Sequence, residues 1–110
     1  MQAAGALVAQ ILWRRTGLRA AGRFLVRSLG APNESVRAIA GMALVKAGRR
    51  SEPLLEEALN RREALPMTLA VLADLGDQKY EEEFRQYAQD SDPQIARAAR
   101  NALRALSAPR

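Results

Sequence analysis

Four times along the 110-residue chain an apolar, helix-like run closes on a small residue: Gly17, Gly48, Gly76 and Ser107, spaced 31, 28 and 31 residues apart. Four residues before each of these stand Trp13, Leu44, Leu72 and Leu103, and five before stand Leu12, Ala43, Val71 and Ala102. Eight before stand Ala9, Ala40, Thr68 and Ala99. The slot four before stays large and the slot eight before stays small, while the slot five before alternates between large and small. A period of about 30 residues is the mark of one supersecondary unit used repeatedly, and no unit of that size buries its apolar face alone.

Each unit reads as two helices. The first runs to the glycine, which suits a left-handed C-terminal cap. Asn33 precedes "ESVRAIAGMALVKA", and Asp92-Pro93 precedes "QIARAARNALRAL", as N-caps should. The second helix is shorter. In "SEPLLEEAL", Ser51 is the expected N-cap and Pro53 falls in the first turn, while "KYEEEFRQYA" sets Tyr80, Phe84, Tyr87 and Ala88 on one side. The spacing predicts seven helices, near 4–15, 18–29, 34–47, 51–60, 64–74, 78–89 and 93–106. No alternating β-branched run and no Asn-Gly turn competes with this all-α reading.

Composition agrees. The chain holds 22 alanines and only five aromatic residues, a mixture that favours close-packed helices over a β-sandwich. It has no Cys and no His, which removes disulfides, thiolate nucleophiles, imidazole bases and nearly every zinc or transition-metal site. We therefore expect no metal, no cofactor and a cytoplasmic setting. The apolar stretch from Ala3 to Trp13 is too short to span a bilayer and lacks the features of a leader peptide; it reads as a buried helix, not a membrane one.

Charge is distributed unevenly around a net +5. Residues 1–50 carry nine Lys/Arg and one acid, residues 51–90 four and ten, and residues 91–110 four and one. Within the basic half, "LRAAGRFLVRSLG" spaces Arg19, Arg23 and Arg27 four residues apart. On a helix these share an arc of about 80°, with Leu18, Ala21, Leu25 and Leu29 opposite. No Glu stands at i±4 to balance any of the three.

"NESVRAIAGMALVKAG" followed by "EPLLEEAL" resembles a HEAT-like repeat of the short, phycobilisome-lyase type: an acid or Asn, then Val-Arg, an Ala-rich run to Leu-Gly, and a second helix with Pro-x-Leu. "LPMTLAVLADLGDQKYEEEF" and "DPQIARAARNALRAL" are similar to the same pattern, which covers about Gly5 to Leu106. The first unit departs in having Trp13 in a leucine slot. The resemblance implies a single domain, a right-handed α-solenoid of stacked helix pairs. Its units run over about 4–30, 33–60 and 63–89, with a half unit at 92–106 as the closing cap.

In that family the second helices line a concave face. By resemblance, Arg19, Arg23 and Arg27 form its positive end, and Glu52, Glu56 and Glu57, then Glu81, Glu82 and Gln86, its acidic middle. The expected function is a non-catalytic adaptor binding a charged protein segment there, with Arg19, Arg23, Arg27, Glu52, Glu56, Glu82 and Gln86 in contact. A plain solvated face is the competing reading of the arginines. The alternative function is nucleic-acid backbone binding through the basic half, against which stand the acidic middle and the lack of interleaved aromatics. Adjacent glutamates point to different sides of a helix, so no acid–base pair is set up, and the chain does not read as an enzyme. Leu7, Ile11 and Trp13 in the first helix are expected in the core, or at an open end where they would serve docking or self-association.

Overall fold

A computed structural model describes residues 19–108, with side chains from Ala21 onward. The expected first helix, with Leu7, Ile11 and Trp13, lies outside the described residues, as does the side chain of Arg19. Over the described residues the regular elements are all helical: α1 (Arg19–Ser28), α2 (Glu34–Ala47), α3 (Glu52–Asn60), α4 (Leu65–Leu75), α5 (Glu81–Tyr87) and α6 (Pro93–Ser107). Short 3₁₀ turns, Gly48–Ser51 and Gln78–Tyr80, lead into α3 and α5. None of these helices is long and apolar enough to cross a membrane.

Helix boundaries follow from local chemistry. The Asn33 side chain accepts the backbone N–H groups of Ser35 and Val36 at 2.8 and 3.2 Å, and Asp92 accepts that of Gln94 at 2.9 Å, satisfying donors that helix starts leave open. Arg37 donates through Nη1 to the carbonyls of Ala31 and Pro32, tying α2 to the turn before it. Gly76 ends α4 in the left-handed region at φ 75°, ψ 17°, and Gly48 ends α2 at φ 64°, ψ −134°. A β-carbon is strained at either position.

Ser51 corrects the sequence reading. It does not cap α3; it is buried in helical conformation and its hydroxyl donates to the Gly48 carbonyl at 2.7 Å. The expected helix at 78–89 is likewise divided. The Asp77 carboxylate accepts the Lys79 N–H at 3.0 Å and sets a 3₁₀ turn, and Glu81, Glu82 and Glu83 then occupy the first turn of α5, where acids suit the helix dipole.

Between α3 and α4 the chain turns without glycine. The Arg62 N–H donates to the Leu59 carbonyl and the Glu63 N–H to that of Ala58, the paired bonds of a left-handed helix ending. Arg62 takes φ 55° to make them, and Ala64, the residue before α4, takes φ 45°. The Thr68 hydroxyl closes the turn onto the Glu63 carbonyl at 3.0 Å.

α4 lies at the centre, touching α2, α3 and α6, while α1 leans on α2 and α3, and α5 on α6. Leu25, Leu44, Leu55, Leu69, Leu72 and Phe84 are fully buried between them, each stabilising by about 1.5–3 kcal/mol relative to exposure. The small residues Ala40, Ala43, Ala99 and Ala102 let the long helices approach closely. Leu103, in a large slot, is only half-buried on α6. Tyr80 stacks near Phe84 with ring centroids 6.3 Å apart. Among the described residues no buried side-chain nitrogen or oxygen lacks a hydrogen-bond partner.

Polar links cross the helices at a recurring sequence distance. Arg62 to Asp90, Gln78 to the Leu106 carbonyl and Tyr87 to the Leu59 carbonyl each join residues 28 apart. Lys79 to Glu52 and Tyr80 to Glu56 join residues 27 and 24 apart.

Candidate functional site

Helical periodicity places the arginines of α1. Ala21, Leu25 and Leu29 are buried on one side, which turns Arg23 and Arg27 to solvent on the other. Neither lies within 4 Å of a carboxylate among the described residues. They form one wall of a pocket of about 400 Å³ between α1 and the end of α3. Its floor is apolar, made by Val26, Leu54 and Ala58, and its far wall is Glu57, Arg61 and Glu63. Arg61 is already engaged: its guanidinium lies 3.0 Å from Glu57 and 3.9 Å from Glu63. Among the described residues, the Arg23 and Arg27 guanidiniums are therefore the uncommitted charges of the pocket.

The expected acidic middle is dispersed. Glu52 is only 7% exposed and accepts from the Lys79 ammonium at 3.0 Å. Glu56 accepts the Tyr80 hydroxyl at 2.7 Å, and the same ammonium lies 3.9 Å from it. Lys79 also sits over the Tyr80 ring, 5.1 Å from its centroid. These side chains clasp α3 to the turn before α5, so Glu52 is not a contact open to a partner, and the reading that placed it in the groove is corrected. Glu82 and Gln86 are exposed on α5, where Glu82 lies 3.7 Å from Arg85, and neither lines the pocket. Of the acids read onto the concave face, Glu57 alone stands in the pocket.

Arg61 and Glu63 were missed. Their presence depends on the left-handed turn at Arg62, which carries no glycine to announce it. The Glu57–Arg61 spacing of four residues was a signal for the ion pair itself, though not for where it would stand.

Lys79 and Tyr80 are held in the forms they already have at neutral pH. The hydrogen bond to Glu52 raises the Lys79 pKa, and burial, reinforced by Glu56, pushes the Tyr80 phenol well above its ordinary value. The Lys79 backbone N–H lowers the Asp77 carboxyl. A pocket of this kind suits binding: guanidiniums take carboxylates or phosphates in bidentate geometry, and the apolar floor takes an aliphatic side chain. Among the described residues no group of His, Cys, Asp or Glu is placed to hold a metal ion.

Comparison with protein-family models, with curated proteins and with solved structures returns no match for this chain.

Proposed function

We propose that the protein is a non-catalytic, cytoplasmic adaptor, a short right-handed HEAT-like solenoid that binds a charged protein segment across α1 and α3. The stacked arrangement is supported by the serial contact of α2, α4 and α6 and by the polar links that recur at 24 to 28 residues, close to the spacing of the closing glycines. The observation that carries the function is the pocket itself, with Arg23 and Arg27 unpaired among the described residues beside a floor of Val26, Leu54 and Ala58. An acidic segment with one aliphatic residue satisfies both features. Its carboxylates pair with the α1 arginines while the aliphatic group covers the floor, and Glu57 and Glu63 turn a basic neighbour toward the far wall.

Nucleic-acid backbone binding is a second reading with its own observation. Arg97, Arg100 and Arg104 are exposed along one side of α6, with no acid three or four residues away. One experiment separates the two readings. Acidic ten-residue peptides with a single leucine, and a DNA duplex, are titrated by fluorescence polarisation against wild type, Arg23→Glu/Arg27→Glu and Arg97→Glu/Arg104→Glu. The adaptor reading expects peptide affinity to fall at least about tenfold in the α1 variant alone, with unchanged circular dichroism. Duplex binding that falls steeply with salt and is lost in the α6 variant, with no peptide bound, would replace it.

A further inference from the structure

Three consecutive residues of the α3–α4 turn divide their work. Arg61 and Glu63 line the far wall of the pocket, while Arg62, between them, turns the other way and donates to Asp90 in the loop before α6 at 2.9 Å. Neither Arg62 nor Asp90 lines the pocket. Building on the adaptor reading above, we infer that Arg62 and Asp90 are positioning residues for that site: their bond fixes the turn and thereby decides where Arg61 and Glu63 stand against a bound segment.

The turn needs such an anchor. Arg62 at φ 55° and Ala64 at φ 45° both hold left-handed backbone without glycine, a conformation that a side-chain-bearing residue leaves unless its surroundings require it. Within the turn, the backbone bonds to Leu59 and Ala58 and the Thr68 hydroxyl on the Glu63 carbonyl supply part of the requirement. More comes from the side of α5 and α6. The Leu59 carbonyl also accepts the Tyr87 hydroxyl at 3.4 Å, and Asp90 accepts with both oxygens, Oδ2 from Arg62 and Oδ1 from the Asp92 N–H at 2.9 Å. The Asp90 side chain is only 13% exposed. Asp92 in turn caps α6 by accepting the Gln94 N–H. Bonds therefore run without a break from the pocket wall to the start of α6.

The tie governs selectivity more than affinity. Arg23 and Arg27, on α1, take the acidic group of the segment whatever the turn does. Glu57 and Glu63 face its basic neighbour, and Arg61, 3.0 Å from Glu57 and 3.9 Å from Glu63, sets how much of their charge is left for it. Glu57 stands on α3 and stays in place when the turn relaxes, whereas Glu63 lies within the turn and Arg61 adjoins it. Loss of the tie therefore leaves the acidic half of recognition intact and blunts the basic half.

Two acidic leucine peptides, one with lysine and one with glutamine beside the leucine, separate this role from a merely structural one in fluorescence polarisation. Wild type is expected to prefer the lysine peptide at least about threefold, the scale of one exposed ion pair. Arg62→Ala and Asp90→Ala are expected to lose that preference and keep their affinity for the glutamine peptide. Arg62→Lys, which can make the single bond to Asp90, is expected to retain it, as is Asn33→Ala, which removes a cap on α2 outside this path. In the peptide-free protein, Asp90→Ala is expected to shift the backbone amide NMR signals of Arg61 and Glu63, with circular dichroism unchanged. Peptide binding by wild type with no lysine preference, a preference that survives both Arg62→Ala and Asp90→Ala, or amide signals that stay in place would each overturn the inference and leave the adaptor reading standing. Failure of wild type to bind either peptide would overturn both.

Discussion

Arg62 holds φ 55° in the turn where glycine is the usual choice. The left-handed region costs a side-chain-bearing residue about 1 kcal/mol or more, and here the backbone bonds from Arg62 and Glu63 to the end of α3 require it. What the side chain contributes is a bond to Asp90, at 2.9 Å, across to the loop before α6. That pair is solvent-exposed and worth little by itself. Truncation to Ala removes the pair and keeps the strain, while Gly removes both. We expect Arg62→Gly to be more stable than Arg62→Ala by about 1 kcal/mol in urea denaturation, an order opposite to the one helix propensity gives. Equal stabilities would mean that the turn relaxes out of the left-handed region.

The elements are joined by charge pairs with a predictable pH signature. Asp77 is held low by the Lys79 backbone N–H, and Asp90 by the Asp92 backbone N–H together with Arg62. A carboxyl lowered in the folded state binds protons less readily than in the unfolded chain. Its contribution is present above the unfolded pKa, near 4, and is lost as pH falls through the folded value. Lys79 is raised by Glu52, so its contribution is present below the unfolded value, near 10.4, and is lost as pH climbs beyond the folded one. Melting temperature should therefore hold steady between about pH 5 and 9, and fall on both sides. Asp90→Asn should lower the melting temperature at neutral pH and shrink the acid limb while leaving the alkaline limb unchanged. The caps at Asn33, Gly76 and Asp92 were legible in the sequence because each is a contact within a few residues. The Glu52–Lys79 clasp was not, because its partners stand 27 residues apart and meet only when α3 and the turn before α5 are packed.

At the scale of the whole molecule, α2, α4 and the turn after α1 meet at Gly41, within reach of Leu29, Val71 and Met67. The residue lies inside α2, where glycine costs about 1 kcal/mol relative to Ala, and a methyl there would make ordinary contacts at 3.6 to 4.0 Å. Gly41→Ala should accordingly stabilise the protein by about 1 kcal/mol in urea denaturation. A destabilised variant would show that the packing around Gly41 is tighter than these distances indicate. The two concave surfaces differ in chemistry: arginines over an apolar floor on α1 and α3, methionines and small residues on α2 and α4.

The sequence by itself determined helical class, the approximate helix limits from residue 19 onward, most caps, and the outward direction of Arg23 and Arg27. All of these rest on periodicity and on contacts within one turn, where the chain has few alternatives. Only the tertiary structure decided which charges stay free. It buried Glu52 under Lys79, set Tyr80 on Glu56, and brought Arg61 and Glu63 to the arginine wall through a left-handed turn. Charge pairing follows from packing between units, and residues of identical type become clasp, pocket wall or solvated surface according to the neighbour that reaches them.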